Sequence, residues 1–333
     1  MAIYNPSGAD SVHIDVVLTQ VSLGWPNLGA VGEELFPVVP VKKQSDKYYI
    51  FGRESWLLES SDYRAPGTEA NEIPGLRVSL DTYYATEHAL QVAVTDEERE
   101  NADSPLAPDS DGTQLVTQKI LLSREVKMQT MATTAANYAA ANTVTLAGAT
   151  QWGTAGTSHP ISDFRTGTRA VNAKLFMDPN VAVIPYQVMS VLQDHQDIIA
   201  RIQYSERAIL TPDIIAAVIG IGEVIVPGLG VGSGAIGTSG NAVAASYLWG
   251  KDVVLAWVPD NPGMKVPAFA YEFVWGYAGN AMVTDRWREE RRKSDVIRVG
   301  RRYDLKFTAI EINPASADYN KSIAGYLIKA AVA

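Results

Sequence analysis

The sequence predicts an α+β fold, and three features of its pattern predict it. Residues 47–94 have the alternation of a long β-ribbon, residues 109–138 have the pattern of one long helix, and residues 150–267 alternate helices with short apolar strands. A chain of 333 residues is long enough for one large domain or two ordinary ones. With 47% hydrophobic and 20% charged residues, its composition excludes a disordered or fibrous chain.

Residues 1–46 are predicted to form an extended N-terminal arm. The segment contains four prolines, yet apolar side chains cluster between Val16 and Trp25. These side chains need a surface to cover them, and a neighbouring chain would supply one. Packing of the segment on its own domain is the alternative that the pattern leaves open.

Residues 47–94 are predicted to form an extended β-ribbon loop. One leg begins at Lys47, and the return leg alternates apolar and polar side chains from Val78 to Val94. Between the legs lies a polar stretch with two prolines and two glycines, which is typical of a loop tip. A two-stranded ribbon is only marginally stable in water, so this one must lie across another surface.

Residues 95–149 are predicted to be mainly helical. Thr95 and Glu98 have the spacing of a capping box, which opens a short acidic helix that ends before Pro105. The long helix at 109–138 starts with Asp109-Ser110-Asp111, which is predicted to supply a side-chain cap and negative charge at its N-terminus. About 27 helical residues would span roughly 40 Å.

The second half of the chain is predicted to contain an α/β unit followed by a return of β-strands. In residues 150–267, helices at 161–173, 186–201 and 212–219 alternate with strands at 180–185, 223–226 and 253–258. Residues 268–318 contain further strands at 269–275, 281–287, 295–300 and 305–312. A last strand, at 326–332, lies in the segment 319–333.

The sequence predicts no catalytic residue, no cofactor-binding residue and no metal site. There is no cysteine, and His195 has acidic neighbours too close in sequence to face it on a helix. The stretch from Gly232 to Gly237 matches G-x-G-x-x-G, but the next strand follows after only about 15 residues, with Asp252 before it. We therefore predict that the chain is not an enzyme, with a catalytic acidic cleft as the alternative.

Charge is unevenly distributed along the chain, whose net charge is −9. Residues 1–112 contain 7 basic and 19 acidic residues, whereas residues 286–302 contain 8 basic and 3 acidic ones. Opposite charges of this kind pair within a fold or between copies, and arginine suits bidentate pairing with carboxylates. Solvated faces, or contact with packaged nucleic acid, are the alternatives. The N-terminus lacks a secretory signal pattern and no apolar stretch is long enough to span a membrane, so a soluble protein is expected.

The order of these elements, together with one stretch of sequence, resembles a known family. The stretch is MVTDRWREERRKSDVIRVGRRYDLKFTAIEI, followed by GYLIKAAV. It is similar to the C-terminal strands of the major capsid protein of tailed bacteriophages, which has the Hong Kong 97-type fold. The resemblance implies an N-terminal arm (1–46), an extended loop (47–94), a peripheral domain with a long spine helix (95–149), an axial α/β domain (150–267), a peripheral β return (268–318) and a final axial strand (319–333).

The resemblance also implies a function and a set of partners. The chain would self-assemble through hexamers and pentamers into an icosahedral shell around the DNA genome. It would be made in the host cytoplasm, would end in the virion, and would meet a portal and, non-specifically, the packaged double-stranded DNA. An encapsulin-like compartment of the same fold is the alternative.

Two departures from the family pattern refine this expectation. Only a few tens of residues precede the ribbon, so a separate scaffolding protein is expected. The only lysine of the ribbon is Lys47, at its base, so cross-links between subunits are not predicted. Non-covalent closure is expected instead, with a decoration protein as an option.

The resemblance implies that the acidic N-terminal third of one copy meets the arginine-rich return of a neighbour. The intersubunit contacts predicted in that third lie at the ribbon tip and are Asp62, Arg64, Glu69 and Glu72. On the return, which we call the arginine strip, they are Arg286, Arg288, Arg291, Arg292, Arg298, Arg301 and Arg302.

Overall fold

Strands and helices both contribute to the fold, as the α+β prediction requires. The computed structural model describes residues 13–14, 29–51, 62–64, 66–67, 69–70, 78–103, 106–154, 156–202, 210–233, 244–264, 266–276 and 282–333. The strands are β1 (His13–Ile14), β2 (Val38–Pro40), β3 (Ser45–Phe51), β4 (Val78–Tyr84), β5 (Thr86–Thr95), β6 (Thr143–Thr145), β7 (Val181–Val183), β8 (Glu223–Ile225), β9 (Gly230–Ser233), β10 (Ala244–Tyr247), β11 (Val253–Ala256), β12 (Ala270–Val274), β13 (Met282–Glu289), β14 (Ser294–Phe307) and β15 (Gly325–Lys329).

The α-helices vary widely in length. They are α1 (Gly32–Leu35), α2 (Asp96–Glu100), α3 (Pro108–Thr133), α4 (Pro160–Leu175), α5 (Tyr186–Gln193), α6 (Gln196–Ile202) and α7 (Pro212–Ile219). The domain boundaries expected from the sequence remain predictions.

The larger sheet is organised around β14. Its strand order is β1-β13-β14-β12-β2, and β5 also pairs with β14. β13, β12 and β5 are all antiparallel to β14. The sequence pattern predicted two strands, at 295–300 and 305–312, and this prediction is wrong. The polar residues between those segments do not interrupt the strand, because Arg301 and Arg302 both pair with carboxylates of the chain.

The ribbon is confirmed in part. β3 and β4 are antiparallel, from Ser45 opposite Tyr84 to Phe51 opposite Val78. The predicted single return leg is wrong, because the chain leaves the ribbon at the buried residue Ala85 and β5 joins the larger sheet. The base of the ribbon is fixed in the core, where the rings of Tyr48 and Tyr83 lie 5.2 and 5.0 Å from that of Phe273.

The two helices after the ribbon differ in how they begin. The capping box of α2 is confirmed: Thr95 Oγ1 accepts from the Glu98 N–H at 3.2 Å, and Glu98 Oε2 accepts from the Thr95 N–H at 3.0 Å. The 26-residue helix α3 instead begins with Pro108 in its first turn and has no side-chain cap, contrary to the prediction from residues 109–111.

Helix α3 also ends earlier than the sequence predicted. It stops at Thr133, and Tyr138 lies beyond it, where its hydroxyl donates to the Ala132 carbonyl at 2.5 Å. Val116, Ile120 and Met128 form its buried face, together with several polar residues. Leu115, on a predicted apolar stripe, is 51% exposed.

The α/β unit is built on a five-stranded sheet of order β6-β15-β11-β7-β8. All four residues of β11 are buried, since strands flank it on both sides. The final strand of the chain, β15, pairs with β11, as the predicted return to this unit requires. The predicted helix at 186–201 is two helices, α5 and α6, separated at Asp194 and His195.

Helix α4 packs closely on this sheet at Gly167. A Cβ atom there would lie 2.7 Å from Cδ1 of Tyr326 and 2.9 Å from Cδ1 of Leu255. A larger side chain would push the helix away from β15 and β11. The glycine-rich loop that matched G-x-G-x-x-G is flanked by β9 and β10, but residues 234–243 of it lie outside the described residues.

Candidate functional site

A buried ion-pair network joins the long helix to the larger sheet. Glu272 on β12 has no exposed surface, and it accepts hydrogen bonds from two arginines. Arg124 of α3 donates through Nε at 2.9 Å and also through Nη2, and Arg301 of β14 donates through Nε and Nη2, both at 3.1 Å. Arg124 additionally reaches Glu33 of α1 at 2.5 Å. Two guanidinium groups therefore share one fully buried carboxylate, and Arg301 has no other carboxylate partner among the described residues.

The neighbouring residue of α3 fixes the N-terminal segment. The buried Glu125 accepts from the backbone N–H groups of Val31 and Gly32 at 3.0–3.1 Å and from Trp249 Nε1 at 3.0 Å. Gly32 must be a glycine for this approach, because a Cβ atom there would lie 2.6 Å from Glu125 Oε2. The carboxylate satisfies N–H groups at the start of α1, which would otherwise be left without partners.

A second network lies at one end of the arginine strip. Asp295 accepts from Arg286 at 2.5 Å and from Arg99 at 3.0 Å, and both arginines also reach Asp109. Burial alone would raise the pKa of Asp295, but the hydrogen bond from Arg286 and the charges of both arginines lower it below its usual value. This carboxylate therefore stays ionised and keeps the strip attached to α3.

Arg288 pairs with the start of the short acidic helix. Its guanidinium is bidentate on Asp96, with both distances at 2.6 Å. The pKa of Asp96 is lowered, first by this hydrogen bond. The geometry is the planar fork that arginine makes with a carboxylate.

Two further arginines of the strip combine an ion pair with an aromatic ring. Arg298 binds Asp285 at 2.5 and 3.1 Å and lies 5.5 Å from the Trp287 ring centroid. Arg302 binds Glu87 at 3.0 and 3.2 Å and lies 4.9 Å from the Trp275 ring centroid. Five of the seven predicted arginines thus donate hydrogen bonds to carboxylates of their own chain.

Arg291 and Arg292 are the most available members of the strip. They lie in the exposed turn between β13 and β14, where Arg292 is 69% exposed and 3.6 Å from Glu289. Within the described residues, Arg291 has no carboxylate at ion-pair distance. Arg301, by contrast, is only 8% exposed and belongs to the buried network around Glu272.

The structure describes three of the four predicted tip residues. Asp62, Arg64 and Glu69 are exposed, and Glu72 lies outside the described residues. In the described part of the chain, neither Asp62 nor Glu69 pairs with the strip. Contact between the two sets in neighbouring subunits therefore stays a prediction.

The histidine that the sequence singled out has a structural environment. His195 is 9% exposed, and its Nδ1 accepts from the Asp197 N–H at 3.1 Å. Nε2 must therefore carry the proton and donate to Ser158 Oγ at 3.0 Å, while that hydroxyl donates to the Thr154 carbonyl at 2.7 Å. In this tautomer His195 cannot take the proton of Ser158, so the pair is not a nucleophile and its base.

Sequence reasoning missed the residues that anchor these networks. The helical pattern of residues 109–138 includes Arg124 and Glu125 without assigning them a role, and two adjacent opposite charges between apolar residues are the signal that could have identified them. Among the described residues, no group of three or more His, Asp or Glu side chains has the arrangement of a metal site. The described helices include none that is both long and apolar enough to cross a membrane.

Comparison with curated proteins finds relatives of one kind. No family model matches the chain. It is 28% identical over 305 residues to the major capsid protein of Burkholderia phage BcepMu, which covers 86% of this chain and 92% of the relative. It is 26% identical over 186 residues to the major capsid protein of Pseudomonas phage JBD67, covering 56% of this chain and 58% of the relative.

Solved structures with the same fold extend the comparison to nearly the whole chain. A phage-related protein from Bordetella bronchiseptica matches with a TM-score of 0.71 and 24% identity, over 96% of this chain and 98% of that one. A chain of Microbacterium phage Oxtober96 matches with a TM-score of 0.55 and 13% identity, over 99% and 96%. The mature capsid of bacteriophage PhiM1 matches with a TM-score of 0.53 and 12% identity, over 99% and 91%. At these identities the likeness shows a shared fold.

Proposed function

From the premise that this chain is a shell-forming major capsid protein of phage type with the Hong Kong 97-type fold, we propose that it builds the icosahedral shell around the DNA genome of a tailed phage. The observation that carries the proposal is the similarity to the BcepMu protein over 86% of this chain and 92% of that relative. Both curated relatives are phage proteins, which favours a phage capsid over an encapsulin-like compartment of the same fold.

The ribbon supports assembly through contacts between copies. Its base is anchored by Tyr48 and Tyr83, whereas the described residues of its tip are all exposed. Tyr63, at the tip, is 76% exposed, and an aromatic side chain on an outlying loop is typical of a contact surface. In a closed shell of one repeated chain, each such surface must be complementary to a surface of a neighbouring copy.

The arginine strip would contribute to these contacts mainly at Arg291 and Arg292. Since the other five arginines are held by carboxylates of their own chain, their role in the proposal is to keep the sheet surface rigid. The acidic tip residues Asp62, Glu69 and Glu72, with Arg64 among them, would meet the exposed turn of the next copy. Such exposed pairs set register and rate of assembly more than they add affinity.

The remaining partners follow from the capsid role. Subunits would form hexamers and pentamers in the host cytoplasm, on a separate scaffolding protein and around a portal, and would end in the virion. A decoration protein would reinforce the shell, and no catalytic activity is needed. Because the chain has a net charge of −9, contact with the packaged double-stranded DNA would be weak and non-specific.

Assembly of the purified full chain tests the proposal. Nuclease-treated protein, expressed alone and with its neighbouring genes, would be measured by light scattering after size exclusion and imaged by negative stain. Closed shells, tubes, or rings of five or six subunits are expected. A monomer under every condition would overturn the proposal, and shells that never enclose DNA when the phage genome is supplied would favour a compartment instead.

A further inference from the structure

A cationic cleft opens in the α/β unit, away from the arginine strip. Its volume is about 400 Å³, and it lies between the start of α4 and helix α6. Arg165 and Arg169 line it from α4, and Arg201 lines it from α6. All three arginines are exposed.

The three arginines differ from most of those in the strip, because they have no counter-charge among the described residues. In the described part of the chain, none of them forms an ion pair or a side-chain hydrogen bond. The one carboxylate that lines the cleft, Asp197, accepts from His159 Nδ1 at 3.0 Å and is already occupied.

The spacing of the two arginines on α4 lowers the stability of the free subunit, because their positive charges have no counter-charge. Arg165 and Arg169 are four residues apart, so their side chains are neighbours on one helix face and repel each other. With Arg201 opposite and one carboxylate present, the lining has a formal charge of +2. An anion bound between the helices would remove this repulsion.

We propose that this cleft binds carboxylate side chains of a second copy of this chain. The inference rests on the proposed shell function, because it needs copies packed side by side. The chain has 37 acidic and 28 basic residues, so neighbouring copies offer an excess of carboxylates. Copies arranged head to tail around a ring present different edges to each other, which lets a cationic cleft face an acidic surface.

A second copy fits the cleft better than a nucleic acid does. Three arginines in one recess would neutralise only a few phosphates, and the net charge of −9 opposes the approach of DNA over the rest of the surface. Arginine binds carboxylates in bidentate geometry, as Arg288 and Asp96 do elsewhere in this chain.

Zero-length cross-linking identifies the occupant directly. Arg169→Lys and Arg201→Lys keep the positive charge and introduce an amine that a carbodiimide can join to a carboxylate in contact with it. Shells assembled from equal amounts of ¹⁴N- and ¹⁵N-labelled variant would be cross-linked, digested and analysed by mass spectrometry. We expect mixed-isotope links from position 169 or 201 to an Asp or Glu of another copy. Assembled shells with links only within one isotope, or with none, would overturn the inference.

Charge reversal tests whether the cleft matters for assembly. The double variant Arg165→Glu/Arg169→Glu should lower the yield of shells by at least about tenfold, because like charges then face each other between copies. A control for reversing one exposed basic side chain is Lys119→Glu on the long helix, which should assemble as the unmodified chain does. Equal urea midpoints for the isolated variants would show that both subunits fold.

The outcomes separate this inference from the proposed function. If the unmodified chain forms no shells or rings, the proposed function fails. If it forms shells and the double variant assembles equally well, only the cleft inference fails. Loss of ultraviolet cross-linking to added DNA in the double variant, with assembly unchanged, would make nucleic acid the occupant and overturn the inference.

Discussion

At the scale of single residues, Glu272 supplies the fully buried carboxylate that Arg124 and Arg301 share, and Arg124 has Glu33 as a second partner. Glu272→Gln leaves Arg124 and Arg301 facing each other around a neutral amide in the core. We expect the free energy of unfolding of the subunit to fall by about 3–5 kcal/mol, the cost of breaking a buried ion pair on one side. Urea unfolding of the isolated subunit measures it.

The matched control for that change is Glu290→Gln. Glu290 is 83% exposed and lies 3.6 Å from Arg288, so its loss should change the unfolding free energy by less than about 0.5 kcal/mol. If both variants lowered the free energy of unfolding by similar amounts, the buried network would contribute no more to stability than a surface ion pair does.

We expect Asp318 to contribute to the stability of the subunit in a way that depends on pH. Its carboxylate accepts from the Ala140 N–H at 2.8 Å and from Lys174 Nζ at 2.9 Å, and these bonds, the first above all, hold its pKa below the usual 3.8. Because the pKa of the folded state lies below that of the unfolded state, the stabilisation is complete well above the unfolded pKa. The stabilisation is lost as the pH falls from the unfolded pKa through the folded pKa.

Asp318→Asn tests this dependence. At pH 7 the variant should be less stable than the unmodified chain by about 1–2 kcal/mol, since the amide keeps at most one of the two bonds. The difference should shrink as the pH is lowered from 5 towards 2, where the unmodified carboxyl is protonated too. Urea midpoints at a series of pH values give the measurement, and a difference that stays constant over this range would contradict it.

The charged residues could be predicted from the sequence, but their partners could not. The strip was visible because its arginines cluster between 286 and 302. Its counter-charges come from distant segments: Arg99 and Asp295 are 196 positions apart, and Arg124 and Glu272 are 148 apart. Only the fold brings such pairs together, so a sequence pattern cannot tell a contact within the chain from one between copies.

At the scale of elements, the close approach of α4 to its sheet depends on Gly167. Gly167→Ala would place a methyl group 2.7 Å from the ring of Tyr326, and the helix would have to move. Although alanine favours a helix by roughly 1 kcal/mol over glycine, overpacking in a core costs about 1–3 kcal/mol. We therefore expect a net loss of stability, measured by urea unfolding.

Thr166→Ala is the control for the helix effect alone. Thr166 is the adjacent residue of α4 and is exposed, so its replacement should leave stability unchanged or slightly raised. If Gly167→Ala also raised the stability, the helix would be able to move off the sheet at little cost.

Elements with strong local signals were predicted correctly, and those decided by distant contacts were not. The capping box of α2, helix α7 and strand β7 follow from short patterns in the sequence. The predicted helix at 186–201 is instead divided near His195, whose ring is held by Ser158 from a distant loop. The alternation from Val78 to Val94 predicts one return leg of the ribbon. The structure divides this segment between two sheets, because alternation is similar in every strand and does not indicate which sheet a strand joins.

At the scale of the whole molecule, the pairing of charges separates surfaces that stabilise the subunit from surfaces open to other copies. Most of the arginine strip is neutralised within the chain, so mutation there would act first on folding. The exposed turn at Arg291 and Arg292 lies outside these networks, and so do Asp62 and Glu69 of the tip within the described residues. Mutation at the turn or the tip should therefore change assembly without changing the stability of the subunit.

Charge reversal at the turn, followed by its complement at the tip, tests this separation. Arg291→Glu/Arg292→Glu should leave the unfolding free energy within about 0.5 kcal/mol of the unmodified value. It should lower shell yield in sedimentation, because the turn would then repel the acidic tip of the neighbour.

Adding Glu69→Lys/Glu72→Lys to the same chain should restore assembly, since the pairing is re-formed with the signs exchanged. Lys119→Glu, exposed on the long helix, controls for charge reversal at an exposed basic side chain elsewhere on the surface. If the tip reversal fails to rescue while the turn reversal blocks assembly, the turn contacts some other surface, and the pairing of tip with turn is wrong.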